Sequence, residues 1–409
     1  MYNLIVGLYS MCGGVKTTHV SRAILRDEKI TMFLEEVENS PSLEMVNLVL
    51  AKVAKGEKVV SLAIGEPSFN TPAEIVEVAC EAMRSGDVHY TSSYGTMVVR
   101  EAIKRKVAKK NGIHAEIPNT IFCTTKYSVY AALAAASNKA YDALLPNPGY
   151  FYWEPVVLSG GRQVFYTLNK DFSLDIDDIK KKTTRRTKVI LVNSPSNPTG
   201  KVLKRSELEE LYEFCRDRKI FIISDEAYED LIYEGQHFCV GSLEPKPEFV
   251  ISLFSLSKSY AMTGWRAGYV IASERIIYLI NKFLENTVTC FPPFIQKASA
   301  YALDNGDKYI AEFRTELENR KKLLVRKMGE IDALEPYETE GAFYAFPRYR
   351  KKMRSRELVK VLLDKYGIAV LAGASFGDAG ENHLRFSFSM APETIENGME
   401  KVKAFFKEG

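Results

Sequence analysis

The chain has 409 residues but only six cysteines, two tryptophans and five histidines. Cys12, Cys80, Cys123, Cys215, Cys239 and Cys290 lie far apart and form no CxxC pair. Neither a disulfide framework nor a zinc site is indicated, and a reducing cytoplasm is the expected setting. The histidines are as scattered, without an HExxH or HxH, so metal chemistry is not expected. A surplus of one charge is also missing: 55 Lys and Arg against 52 Asp and Glu leave +3. That balance gives no reason to expect nucleic acid or a membrane surface as partner. The densest basic cluster, Lys180 to Lys182 with Arg185, Arg186 and Lys188, reads as a solvated helix end and turn. No apolar run approaches the roughly 18 residues that span a bilayer. Leu4 to Met11 is short, and its flanks lack the basic start and cleavage site of a secretory signal.

What is there is enough for a large interior. Hydrophobic residues make up 46% of the chain, and its length exceeds what one compact domain usually holds. Two domains are therefore expected. Residues 4–18 resemble a strand running into a phosphate-binding loop, ending in Gly13-Gly14-Val15-Lys16-Thr17-Thr18. Such a loop needs glycine just before its lysine so that backbone N–H groups can wrap the phosphates. Val15 stands there, and nucleotide binding is set aside. Residues 1–31 read as an extension, with Met32 as the expected natural start.

From about residue 120 to 270, short β-branched runs alternate with amphipathic helices. Lys188–Asn193 (KVILVN) reads as a buried strand that ends in the turn Ser194-Pro195-Ser196-Asn197-Pro198-Thr199-Gly200. A helix is expected from Ser206, with Glu209 completing a capping box. Its apolar residues Leu208, Leu211, Tyr212 and Cys215 share one face. Lys219–Ser224 (KIFIIS) is a second strand ending at Asp225, and Phe249–Phe254 (FVISLF) a third, ending before Ser255-Leu256-Ser257-Lys258. This alternation implies an α/β fold with a mainly parallel sheet covered on both faces. Ligands of such sheets sit at the carboxyl ends of the strands. Asn197, Asp225 and Lys258 all lie just past strand ends, which argues that they share a site. The C-terminal hundred residues differ, with a charged helix over about 307–330 and strands near Gly341–Phe346 and Asn382–Ser389. They read as a smaller α+β domain completed from the N-terminal side. The expected division is 32–71 with 307–409 as the small domain and 72–306 as the large one.

Ser255-Leu256-Ser257-Lys258, followed by Thr263-Gly264-Trp265-Arg266-Ala267-Gly268, is the most informative stretch. A lysine amine acts as a nucleophile at neutral pH only when its surroundings depress its pKa. Hydroxyls just before it and a guanidinium eight residues after it can together hold a phosphate dianion.

The pattern S-x-S-K-x-x-x-x-x-G-x-R-x-G resembles the cofactor-lysine signature of the class I/II aminotransferases, enzymes of the fold-type-I pyridoxal 5'-phosphate family. The resemblance runs from about Phe33 to the C-terminus. It implies a fold-type-I architecture, a three-layer large domain with a smaller α+β domain, and pyridoxal 5'-phosphate as cofactor. Lys258 would be the Schiff-base lysine and the base that moves the substrate proton. Ser255, Ser257 and Arg266 would hold the phosphate, helped by the segment Thr124-Thr125-Lys126. Asp225 and Tyr228, in Asp225-Glu226-Ala227-Tyr228, match the family's D-E-x-Y. A carboxylate against the pyridine nitrogen keeps it protonated. At about 4 Å and an effective dielectric near 20 such a pair is worth up to roughly 4 kcal/mol before desolvation. Tyr228 and Asn197 would bond the phenolic oxygen, and Tyr150 would stack on the ring. Arg385, in His383-Leu384-Arg385-Phe386-Ser387, would bind the substrate α-carboxylate bidentately, with the Gly65 backbone beside it. Tyr90 matches a tyrosine that reaches the phosphate across a dimer interface, so a homodimer with shared sites is implied. Two departures stand out. Thr124-Thr125 replaces the small residues usual before Lys126, and Ala372-Gly373 replaces a P-G.

The implied reaction moves an amino group between an L-amino acid and a 2-oxo acid by a ping-pong mechanism. Lys126 stands where a lysine of the bacterial and archaeal aspartate aminotransferases reaches the distal carboxylate. Aspartate and glutamate are therefore the expected amino acids. A lyase, or an aminotransferase for aromatic or other amino acids, would retain the same motifs. A transcription regulator on this domain would need a DNA-binding module, for which the first thirty residues leave no room.

Overall fold

The computed structural model describes residues 37, 39–138 and 140–408. The expected extension, the start at Met32 and the Gly13–Thr18 stretch lie outside the described residues. Strand β1 (Val60–Ser61) precedes a seven-stranded sheet of β2 (Thr120–Phe122), β3 (Asp142–Asn147), β4 (Arg162–Thr167), β5 (Thr187–Asn193), β6 (Phe221–Asp225), β7 (Val250–Ser255) and β8 (Gly268–Ile271). The order across the sheet is β2-β8-β7-β6-β5-β3-β4. β8 runs antiparallel to both neighbours, and the remaining pairs are parallel. The strands expected at 188–193, 219–224 and 249–254 are β5, β6 and β7, with ends displaced by one or two residues.

Alternate side chains of a strand point to opposite faces, and the central strands have an apolar residue at both. Val189 and Leu191 of β5 enter one hydrophobic cluster with Ile223, Ile251 and Leu253. Ile190 and Val192 enter a second, with Ile222, Val250 and the helix residues Leu208, Leu211 and Cys215. Helices therefore cover both faces. The helix of Arg205–Arg218 begins one residue earlier than expected and is capped differently. Glu207, three residues past the Lys204 N-cap, accepts the Lys204 N–H at 2.8 Å, whereas Glu209 pairs with Arg205 one turn back. Serine's place in the pattern was misleading because the chain enters the helix two residues before it.

A third cluster gathers Met45, Val49 and Leu62 with Leu317, Leu324, Phe343, Phe386, Met399 and Phe405. It surrounds β9 (Tyr344–Ala345), β10 (Ile368–Ala369), β11 (Leu371–Ala372) and β12 (Leu384–Ser387). β1 pairs with β10, and β11-β12-β9 form an antiparallel sheet. The expected charged helix is Asp307–Gly329, which presents Leu317, Leu324 and Met328 to this cluster. Phe151, Ala227, Tyr228 and Leu231, from loops at the carboxyl edge of the large sheet, are buried in it too. That shared burial fixes the β9–β12 region over the strand ends. The basic cluster lies at the end of the helix Ile176–Lys182 and in the following turn, where Lys180 pairs with Glu210, Lys182 with Asp178 and Arg186 with Asp142. Among the described residues no helix is long and apolar enough to cross a membrane.

One glycine ties the turn after β5 to the segment 339–341. Gly200 has φ +67°, and a Cβ there would fall 1.6 Å from Thr339 Oγ1 and 2.8 Å from the Gly341 carbonyl. Its own carbonyl accepts the Gly341 N–H at 2.8 Å. Gly200→Ala combines a left-handed backbone penalty of about 1–2 kcal/mol with a backbone clash. We expect a loss of at least about 2 kcal/mol, read as a lower urea midpoint. An unchanged midpoint would show that the 339–341 segment is not held by this contact.

Candidate active site

The parallel strands deliver their last residues to one edge. Asn193 and Asp225 are register partners at the ends of β5 and β6. The Asn193 amide donates to the Asp225 carbonyl at 2.9 Å and accepts the Asn197 N–H at 2.8 Å. The turn bearing Asn197 is thus built on the strand that carries Asp225. Asp225 is 6% exposed, and its Oδ1 accepts the Ala227 N–H at 3.1 Å while Oδ2 accepts the Tyr152 hydroxyl at 2.8 Å. Burial, which disfavours the charged form, raises its pKa to about 6.

Lys258 lies in the short helix Leu256–Ser259 directly after β7. Its Nζ donates to the Gly65 carbonyl at 2.6 Å. Burial, reinforced by the positive charges of Arg266 and Arg385, lowers its pKa to about 8. The Ser255 hydroxyl accepts the Ser257 N–H at 3.2 Å, and both serines are buried.

Because β8 is antiparallel, its first residue meets the last residues of its neighbours. Gly268 is the register partner of Ser255, and its carbonyl accepts the Cys123 N–H at 2.9 Å. Arg266, two residues earlier, is thereby brought to the corner where Ser255 and Thr124 also lie. It is exposed, has φ +57°, and donates to the Thr263 carbonyl at 2.8 Å. Thr124 is the N-cap of the helix Thr125–Ala136, whose first amides open toward this corner. A cavity of about 520 Å³ is lined there by Thr124, Lys126, Arg266, Tyr127, Tyr130 and Phe151, among others. Lys126 is exposed at its edge.

Arg385, on β12, is 1% exposed. Nη1 donates to Asn197 Oδ1 at 3.0 Å, Nη2 donates to the Ala63 carbonyl, and Nε has no partner. The guanidinium lies 4.3 Å from the Tyr344 ring centre and 5.1 Å from that of Phe376. Among the described residues it has no carboxylate partner. Tyr344 also bonds the Tyr228 hydroxyl at 2.8 Å. A Cβ on Gly65 would fall 2.4 Å from the Tyr344 hydroxyl, so only glycine lets the backbone pass here. Tyr150 follows β3, and the Gly149 N–H before it is anchored on the Phe376 carbonyl at 2.8 Å. The charges of Asp225, Arg385 and Arg266 all act on Tyr150.

Gly65, Tyr150, Asn197, Asp225, Tyr228, Lys258 and Arg385 are thus joined by direct bonds or shared fields. Thr124, Lys126, Ser255, Ser257 and Arg266 gather at the adjoining corner, where Thr125 begins the helix. Tyr90 stands apart, 88% exposed on the single chain. Sequence reasoning passed over Asn193, Tyr152, Tyr344 and Phe376. Asn193 could have been found as the polar end of an apolar strand. The three aromatics carry no signal beyond a place in apolar runs that fit a core equally well.

A family model described as aminotransferase class I and II matches residues 57–402. An aspartate aminotransferase of Pyrococcus abyssi is 37% identical over 385 residues, covering 90% of this chain and 98% of that protein. An aromatic-amino-acid aminotransferase of Thermococcus litoralis is 35% identical over 384 residues, with 90% and 98% covered. The crystal structure of an aromatic aminotransferase from Pyrococcus horikoshii superposes with a TM-score of 0.83 at 36% identity, covering 88% of this chain and 99% of its own. A strand-end lysine beside a buried carboxylate, on a chain so matched along its length, has one reading: this protein belongs to the class I and II aminotransferases and is a fold-type-I enzyme of amino-group transfer.

Proposed function

We propose that the enzyme uses pyridoxal 5'-phosphate held on Lys258 and transfers the amino group of aspartate or glutamate to a 2-oxo acid. The observation that carries the reading is Lys258 itself, a half-buried amine with a pKa near 8 facing Asp225 and Arg385. The residues fit the cofactor on physical grounds. Helix N-terminal amides, two serines and Arg266 at one corner match a phosphate dianion. Asp225, a carboxylate sunk among apolar groups, matches a protonated ring nitrogen. Asn197 gives its Oδ1 to Arg385, which leaves its Nδ2 as a donor for the phenolic oxygen, alongside the Tyr228 hydroxyl. Tyr150 offers its ring face. Bound there, the cofactor would supply an electron-withdrawing ring for the electron pair released at the amino acid's Cα.

The protein's own part is positioning and proton movement. Arg385 would clamp the α-carboxylate, and its unpartnered Nε is one of the donors left for that carboxylate. Lys258 would take the proton from Cα and return it on the other side of the exchange, for which a pKa near 8 is well matched to neutral pH. Lys126 would receive a distal carboxylate, and the relative from Pyrococcus abyssi named an aspartate aminotransferase supports that choice. A second reading rests on the aromatic walls of the same cavity, Tyr127, Tyr130 and Phe151, which suit an aromatic side chain. The reading extends to a homodimer in the cytoplasm, with Tyr90 of each subunit reaching the other's phosphate corner. The exposure of Tyr90, Met97, Val98 and Val88 on the single chain supports such an interface. It also divides the chain into a cofactor-binding domain of 72–306 and a small domain of 32–71 with 307–409. The separate cluster around β9–β12 supports that division.

Mixing the loaded enzyme with single amino acids and following its visible absorbance tests the substrate. Bleaching by aspartate and glutamate, restored by a 2-oxo acid, is expected; bleaching by aromatic amino acids alone would select the second reading. Lys258→Ala should abolish both turnover and the visible absorbance, and retained activity would remove Lys258 from the centre. Arg385→Leu should raise KM for amino acids about 10- to 100-fold with the cofactor still bound, the worth of a charge-assisted bidentate contact. Unchanged kinetics would place the carboxylate elsewhere.

Asp225 gives a prediction on stability. Its folded pKa of about 6 lies above the unfolded value of 3.8, so ionising it costs the folded state. The penalty is full above pH 6 and vanishes below pH 4. In the full-length chain without cofactor, Asp225→Asn should be more stable at pH 8 by up to about 3 kcal/mol, the gain shrinking as the pH falls through 6 to 4. Denaturant titrations at pH 8 and pH 4.5 give the comparison, and a difference independent of pH would show that the carboxylate is not strained by burial.

A further inference from the structure

The loop after β3 places two tyrosines, and only the first has a part in the reading above. Tyr150 presents its ring. Tyr152 turns inward, 1% exposed, and its hydroxyl donates to Asp225 Oδ2 at 2.8 Å. The two rings meet edge to face, with centroids 5.4 Å apart, and the Tyr152 N–H is bonded to the Tyr150 carbonyl at 2.7 Å. The loop is held from the far side by the Gly149 bond to Phe376 and by Phe151, which stacks on Phe376 at 5.1 Å. One rigid loop therefore fixes both a ring face and a phenol on Asp225.

We propose that Tyr152 is a positioning residue for Asp225, its phenol stabilising the ionised carboxylate and aiming Oδ1 and Oδ2 so that the acid is ready to receive the protonated ring nitrogen. The inference rests on the cofactor assignment above. Its physical content is simple. A buried carboxylate accepts only what its surroundings offer, and each donor that bonds the charged form makes that form easier to keep. Asp225 has two such donors, the Ala227 N–H on Oδ1 and the Tyr152 hydroxyl on Oδ2. The Ala227 amide is part of the turn and cannot vary. Among the described residues, Tyr152 alone is a side-chain donor to it.

The other charges around Asp225 act at longer range. Glu226, next in the chain, raises its pKa, and Lys258 at the end of the neighbouring strand lowers it. Glu226 is held by His237 at 2.9 Å and by the Cys239 thiol at 3.0 Å. Tyr150 contributes only its neutral phenol, raised by burial. Removing the Tyr152 hydroxyl thus takes away the side-chain hydrogen bond to Asp225 and leaves these charges in place. Nothing else in the loop changes size, because phenylalanine keeps the ring.

The test reads the carboxyl group directly. The full-length chain without cofactor, labelled with ¹³C-aspartate, is titrated by infrared difference spectroscopy, with Asp225→Asn as the blank. The midpoint for Asp225 should lie near pH 6, and Tyr152→Phe should raise it by about one unit, a tenfold change in proton affinity. Tyr152→3-fluorotyrosine, a stronger donor of nearly the same shape, should lower it. A merely structural residue would not move the midpoint in opposite directions, so this pair separates positioning from packing. Midpoints equal to wild type in both variants would overturn the inference. Cofactor affinity is measured alongside with pyridoxal 5'-phosphate, and Tyr152→Phe should weaken it severalfold at pH 7. A wild-type chain that binds no pyridoxal phosphate would sink the functional reading and leave the Tyr152–Asp225 coupling standing. A bound cofactor with unmoved midpoints would sink only the coupling.

Discussion

The interior of this enzyme has to keep the Arg385 guanidinium out of water with no carboxylate among the described residues to neutralise it. An isolated buried charge costs several kcal/mol even after relaxation. Every neighbour of Arg385 can be understood as a response to that cost. The Ala63 carbonyl and Asn197 Oδ1 accept two of its donors. Tyr344 and Phe376 turn ring faces toward its cationic plane, each worth roughly 2 kcal/mol when desolvated. These partners come from four separate parts of the chain, so satisfying one charge draws β1, the Asn197 turn, β9 and the Phe376 segment into one place. The compensation is incomplete, because Nε has no acceptor. In the reading proposed above, the carboxylate of an amino acid would complete it.

Tyr344 shows how closely these demands are coupled. Its ring serves Arg385, its hydroxyl bonds Tyr228, and its oxygen leaves no space for a side chain at residue 65. Gly65 in turn gives its carbonyl to Lys258. Arg385, Tyr228 and Lys258 are therefore linked through Tyr344 and Gly65.

How much of this was legible in the sequence follows from the kind of signal each residue leaves. Lys258, Asp225 and Asn197 are polar residues at or just past the ends of apolar strands, and the parallel sheet brings such positions to one edge. Arg385 and Gly65 lie far from them in the chain and were placed by resemblance to a family pattern, since nothing in their own surroundings marks them. The capping of the helix at Arg205 was misread because Ser206 offers a pattern the backbone does not use. Tyr152 and Tyr344 were invisible for a different reason. A buried tyrosine whose hydroxyl has a functional partner reads, in sequence, like a core aromatic, and only the hydrogen-bond geometry separates the two.

Burial acts on the two ionisable groups at the centre in opposite directions. The same withdrawal from water raises Asp225 to about 6 and lowers Lys258 to about 8, bringing both toward neutrality. Left alone, such a pair would drift to the uncharged forms, which would suit the amine nucleophile proposed above and be wrong for a carboxylate proposed to hold a proton on a ring. The site resolves the conflict by unequal hydrogen bonding. Asp225 receives two donors that favour its charge, whereas Lys258 is given a neutral carbonyl, and the charges of Glu66 and Asp225, which favour its protonated form, are opposed by those of Arg266 and Arg385. Selective placement of donors, on top of uniform desolvation, is what lets one apolar cleft keep an acid ionised and an amine ready to lose its proton.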